Sequence, residues 1–121
     1  MRHAEARAGV LLLVSSLASP LAAQVTLLDP TPGAGAASAI AIGSDGLGLI
    51  AYYNQLDTSL RVAHCSNAAC DSATLTTLDP QGNDTLSLTI GSDGLGLILY
   101  LGAAGVKIAH CLDLACTAAP R

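Results

Sequence analysis

From position 38 to position 111 the chain is written in short apolar runs separated by Gly, Asp, Asn and Ser. In "SAIAI" (38–42) and "LSLTI" (86–90), Ile40, Ile42, Leu88 and Ile90 alternate with Ala, Ser or Thr. That is the period of a strand with one covered face. The segments "LGLIAYY" (47–53) and "LGLILYL" (95–101) are apolar nearly throughout, which predicts strands covered on both faces. "LRVAHC" (60–65) and "VKIAHC" (106–111) alternate again, with Val62 and His64 on one side and Ile108 and His110 on the matching side. "ATLTTLD" (73–79) and "VTLLDP" (25–30) read as two further strands. The pairs Asp45-Gly46 and Asp93-Gly94 mark turns, because Gly tolerates positive φ and Asp can bond its own backbone.

These elements form a repeat. "IGSDGLGLI" stands at 42–50 and again, unchanged, at 90–98; "AHC" recurs 46 positions on and "LDP" 50 positions on. The spacing contracts where "NQLDTSL" (54–60) becomes "GAAGV" (102–106), a change of length that belongs in a loop. The fold class expected is all-β, two four-stranded antiparallel propeller-like blades built from about 48-residue repeats. Repeat one spans 38–80 and repeat two 86–116, within a domain of residues 24–121. The fourth strand of the second blade is expected from the front of the chain, at 25–30, since that segment aligns with 75–80. Two blades do not make a ring, which takes about four to eight. Each lone blade would leave apolar side chains in water, at about 1.5–3 kcal/mol apiece. A homo-oligomer is the expected remedy, three chains supplying about six blades. The alternative is that the chain is a fragment of a longer repeat protein.

The repeats resemble tandem repeats of secreted bacterial propeller-type proteins, I-G-x-D-G-x-x-x-I-S-Y-Y…L-x-V-A-H-C-x-x-x-x-C, over roughly residues 25–116. Ala51 replaces the usual Ser, and the second copy reads "ILYL" in place of the Tyr pair. The resemblance implies a fold rather than an activity. More distantly, the hairpin is similar to the Asp-box turn of sialidase-type propellers, S-x-D-x-G-x-x-W. Gly43 stands at its Ser, Leu47 at its Gly, and no Trp follows.

The first residues add a destination. Arg2 and Arg7 precede an apolar run from Val10 to Leu21, closed by Ala22 and Ala23, which reads as a signal peptide over 1–23. The run is short of the roughly 20 residues that span a bilayer. A secreted or periplasmic protein is expected, with no membrane attachment after removal of the signal. Three cations (Arg61, Lys107, Arg121) then face eight aspartates, a formal balance of −5 that argues against nucleic acid as a partner. With no Phe or Trp and only Tyr52, Tyr53 and Tyr100, the chain has little to stack on sugars or bases.

All four cysteines occur in the repeated elements "HCSNAAC" (64–70) and "HCLDLAC" (110–116). An even count at equal spacing in an exported chain predicts disulfides, Cys65 with Cys70 and Cys111 with Cys116. Each loop of about six residues should contribute about 2 kcal/mol. Zinc is disfavoured, because adjacent strand residues such as His64 and Cys65 point to opposite faces and oxidised cysteines do not ligate. One carboxylate per "GSDG" turn is thin coordination for calcium. No metal or cofactor is expected.

His64 and His110 are read first as packing residues at equivalent places. No Ser or Cys has an activating context, and Asp45 and Asp93, the pair a glycosidase would need, sit in turns that favour Asp for backbone reasons. No catalytic residue is assigned. The function expected is a non-enzymatic, exported repeat protein acting as a binding or scaffolding module through oligomerisation. Alternatives are a lectin-like oligomer and a degenerate sialidase-like hydrolase, with Tyr52, Tyr100, His64 and His110 as candidate contacts to a glycan or protein ligand.

Overall fold

A computed structural model describes residues 22–119. The expected signal peptide lies outside the described residues except for Ala22 and Ala23. Seven strands follow in order: β1 (Ala34–Ile42), β2 (Gly48–Asn54), β3 (Ser59–Cys65), β4 (Ala73–Asp79), β5 (Leu86–Ile90), β6 (Gly96–Gly102) and β7 (Gly105–His110). They form two antiparallel sheets, β1-β2-β3-β4 and β5-β6-β7, each a meander of neighbours in sequence. The protein is all-β among the described residues.

Two expectations need correction. The second sheet has three strands, not four. Residues 25–30, expected to supply the fourth, form no strand within the chain. The physical reason is partnership: among the described residues β7 is paired with β6 alone, and the backbone of 25–30 meets no ladder. β1 also begins earlier than its apolar alternation, because "AGAA" (34–37) follows β2 through an irregularity in register between Ala34 and Ala37.

The hairpins of the two repeats are built alike. In the first, the Gly43 N–H donates to Leu47 O at 2.8 Å, and the Leu47 N–H donates to Asp45 Oδ1 at 3.0 Å. In the second, Gly91, Leu95 and Asp93 make the same two bonds at 2.8 and 3.0 Å. Gly46 and Gly94 sit at φ 78° and 82°, where an L side chain is strained. Gly48 and Gly96 are required for another reason. A Cβ on either would come within 2.8 or 2.9 Å of the Sγ of Cys65 or Cys111, so the strand opens where the disulfide packs on it.

The sheets lie face to face with β1 beside β5. Leu49, Ala51, Leu60 and Val62 of the first sheet meet Ile98, Tyr100 and Ala109 of the second, and Leu78 closes one side. Since the two sheets are homologous, this contact joins two different faces of one design. Leu49 and Ala51 correspond by repeat to Leu97 and Leu99, whereas Ile98 and Tyr100 correspond to Ile50 and Tyr52. The packing is therefore head to tail, and each sheet keeps its other face uncovered by the partner sheet.

Candidate functional site

Two kinds of polar cluster and one cavity stand out, and each cluster appears once per repeat. The first cluster sits at the hairpin turns. His64 Nε2 lies 2.8 Å from Asp45 Oδ2, and His110 Nε2 lies 2.6 Å from Asp93 Oδ2. The backbone N–H of Leu47, and then His64, hold the Asp45 carboxyl below its ordinary range; Leu95 and His110 do the same for Asp93. Both oxygens of each aspartate are thus engaged, one by the turn and one by an imidazole from the third strand. The neighbouring Ser44 hydroxyl donates to Gly94 O at 3.0 Å, tying one turn to the next rather than approaching a histidine. An imidazole–carboxylate pair without a hydroxyl or thiol in line is a strap between turn and strand. It lacks the nucleophile that acyl transfer needs.

The second cluster is an acidic latch. Tyr52 OH donates to Asp29 Oδ2 at 2.7 Å, Arg61 Nη1 donates to the same oxygen at 3.2 Å, and Thr31 N–H donates to Oδ1 at 3.0 Å. In the second repeat Tyr100 OH and Lys107 Nζ donate to Asp79 Oδ2 at 2.6 and 2.9 Å, and Gln81 N–H donates to Oδ1 at 2.9 Å. Burial by itself would raise both carboxyl pKa values, but the converging donors outweigh it. Asp29 is held down to about 2, and Asp79 is pushed still further below the usual carboxylate range. Burial first, and then the Asp29 carboxylate, drive the Tyr52 phenol well above its ordinary value. Asp79 ends β4 of the first sheet while Tyr100 and Lys107 belong to the second, so this latch joins sheets. Asp29 ends the segment 25–29 and is held by the first sheet in the same way.

The cavity, of about 170 Å³, is open and mostly apolar, and lies on the uncovered face of the first sheet. Its walls include Leu28, Ser38, Ile50, Tyr52 and Ala63. Their repeat equivalents are Leu78, Leu86, Ile98, Tyr100 and Ala109, all of them in or against the protein core. The cavity is thus the repeat equivalent of one side of the core, and among the described residues no second sheet lies over it. The other side of the core has its own repeat equivalents: Leu49, Ala51, Leu60 and Val62 correspond to Leu97, Leu99, Val106 and Ile108. Those residues lie on the uncovered face of the second sheet, where Val106 is 67% and Ile108 47% exposed, against 0% for Leu60 and Val62.

The residues singled out in the sequence are distributed as follows. Cys65–Cys70 and Cys111–Cys116 are disulfide-bonded, with Cα atoms 4.8 and 4.7 Å apart. His64 and His110 are brought to Asp45 and Asp93, a pairing between third strand and turn that no local motif announces; only the parallel recurrence of both members signals it. Tyr100, a candidate ligand contact in the sequence, is fully buried with its hydroxyl on Asp79, so within this fold it meets the core and not a ligand. Tyr52 is buried except for the part that lines the cavity. Sequence reasoning passes over Asp29 and Asp79 as sites, although the repeated "LDP" carries the signal. Among the described residues, no three His, Cys, Asp or Glu side chains gather to hold a metal ion. Compared with known protein families, curated proteins and solved structures, the chain matches none.

Proposed function

We propose that this is an exported, non-enzymatic, β-propeller-like repeat protein whose sheets associate into a larger assembly that serves as a scaffold and binding surface. The observation that carries this reading is the complementarity of its two uncovered faces: each is the repeat equivalent of one side of the core, and together they make up that core's two sides. Burying Val106 and Ile108 as their equivalents are buried would contribute about 1.5–3 kcal/mol each. Two local disulfides suit an oxidising compartment and let each sheet close its own turn. Each His–Asp pair is engaged as a strap between turn and strand, which supports a role in binding rather than turnover.

Sedimentation velocity on the purified protein tests this. A discrete species of two to four copies, supplying about four to eight blades, is the expected result. A monodisperse monomer at concentrations on the order of 100 μM would remove the reading.

A sugar-binding variant of the same assembly is favoured by one feature. A polar cleft of about 430 Å³ is lined by Tyr53, Gln55, Asn83 and Asp84, with Ala36 at its side. A tyrosine among amide and carboxylate groups offers the mixed apolar and hydrogen-bonding contacts a pyranose requires. Saturable signal on a glycan array, lost in Tyr53→Ala, is the result expected of that variant. An empty array leaves the scaffold alone.

A further inference from the structure

We infer that residues 24–29 of one copy add as a fourth strand to the open edge of β7 in a second copy, joining the chains head to tail. The inference rests on the self-association proposed above and specifies how it is made.

Three observations converge on it. First, the N-terminal segment is already placed as a β4 in search of a sheet. Asp29 is gripped by Tyr52 and Arg61 as Asp79 is gripped by Tyr100 and Lys107. Asp79 is the last residue of a strand paired to β3. Asp29 is the last residue of a segment outside both sheets, whose Val25 and Leu27 are 98% and 77% exposed. Second, among the described residues β7 has a neighbour on one edge only, β6. Its loop closes as in the first repeat, Leu112 N–H donating to Ala118 O where Ser66 N–H donates to Ser72 O. At the position of Thr74, however, the sequence has Pro120, which has no N–H to give to a ladder. Third, the faces agree: with 24–29 on β7 of a neighbour, that neighbour's Val106 and Ile108 come to lie over the cavity around Ile50 and Tyr52.

The register follows from the first sheet. There Leu60 pairs with Asp79, Arg61 with Thr77, Val62 with Thr76, Ala63 with Leu75 and His64 with Thr74. Transferred by repeat, Val106 pairs with Asp29 of the second copy, Lys107 with Leu27, Ile108 with Thr26, Ala109 with Val25 and His110 with Gln24. The strand runs antiparallel to β7, as β4 runs to β3. Backbone bonds fix the register, and the latch of the donor copy then locks the donated strand to its own first sheet, a form of strand addition. The turn contact propagates as well: Ser44 donates to Gly94 O within a chain, so Ser92 of one copy would donate to Gly46 O of the next. Every contact is heterologous, so the series closes into a ring or continues as a fibre.

The test is cross-linking by strand register. Full chains carrying T26C and differently tagged full chains carrying I108C are mixed and mildly oxidised, and linked products are mapped by mass spectrometry. A disulfide between the two introduced thiols, joining one tagged chain to the other, is expected. No link is expected between T26C and T74C, the second of which would sit on the outer edge of the first sheet. In parallel, T26P changes a residue that lies outside every strand, so the monomer should keep its circular dichroism spectrum; by repeat from Thr76, whose pair with Val62 is hydrogen-bonded as Ser66 is to Ser72, it is the Thr26 N–H that would face β7. Self-association of T26P should weaken on the order of tenfold or more through the lost ladder bond. If the protein assembles yet T26C and I108C stay unlinked, or T26P assembles as the unsubstituted protein does, strand exchange is overturned while self-association stands. If the protein is a monomer at every concentration, both fall.

Discussion

Leu60 and Val106 occupy the same place in two copies of one repeat, and only the first is in the core. The same holds for Val62 against Ile108, and the side chains of the strap at His64 and Asp45 are 16% and 20% exposed against 43% and 46% for its counterpart at His110 and Asp93. Conversely, Ile50 and Ser38 border an open cavity while Ile98 and Leu86 belong to the core or pack against it. Near-identical local sequence therefore carries different energies. Burial is a property of the neighbour, and among the described residues each sheet has a neighbouring sheet on one face only. A repeat array distributes its stability over such interfaces rather than within units. The difference between the sheets measures what one sheet-on-sheet contact is worth.

The largest effect expected is at the core. Leu60→Ala should lower the unfolding free energy by about 3 kcal/mol, through lost transfer energy and an unfilled cavity. Val106→Ala should cost less than about 0.5 kcal/mol in dilute, dissociated protein. Urea unfolding of both variants checks the contrast. If the chains associate as proposed, Val106→Ala should move toward the cost of Leu60→Ala at associating concentrations, and failure to do so would break the equivalence of the two faces.

Next in size are the cross-links. Replacing both cysteines of either pair by serine should cost about 2 kcal/mol on loop-closure grounds. The Cys111–Cys116 pair should cost more, because both of its sulfurs are buried in the core whereas Cys70 is partly exposed. Thermal unfolding of the two double variants ranks them.

The latches give a pH dependence of the same order. Asp29 titrates near 2 in the folded protein against an ordinary 3.8. A depressed carboxyl contributes stability above the unfolded value and loses it as pH falls through the folded one. About 2 kcal/mol from Asp29 should therefore be present at pH 6 and disappear between about pH 4 and 2. Asp79, shifted the same way and further, adds to the slope. Asp29→Asn should flatten the acid limb of stability measured by urea at pH 6, 4 and 3, and should also free residues 24–28 to faster amide exchange.

Smallest are the straps. Asp45→Asn should reduce the melting temperature more than Asp93→Asn, since the first strap is the less exposed of the two. Equal losses would mean that the turn bond to Leu47 or Leu95 carries the whole effect. Differential scanning calorimetry at pH 7 resolves the order.

The alternation of Ile40, Ile42, Leu88 and Ile90, the doubly apolar second strands, the runs "LRVAHC", "VKIAHC" and "ATLTTLD" and the two Asp-Gly turns are enough to locate the seven strands that form among the described residues. A period of two and turn chemistry are local properties, readable without knowing what lies opposite. The repeat carries the reading further, because it makes Cys65–Cys70 and Cys111–Cys116 local pairs with a common reason. It misplaces 25–30 for an equally physical cause: alignment with 75–80 shows what a segment suits, and a strand exists only where a second backbone answers it. Pairing of His64 with Asp45, 19 residues away, and of Tyr52 with Asp29, 23 residues away, is likewise out of view, since sheet register and the stacking of turns bring them together.

What the sequence determined by itself is the unit: its strands, its turns, its sulfur clamps and its duplication, all set by short-range sterics and side-chain periodicity. Tertiary structure decided which copy of each apolar residue is dry, which tyrosine is sealed and which aspartate becomes a latch. Those outcomes depend on free energies of burial and desolvation, which belong to contacts between sheets and have no value until the sheets are placed.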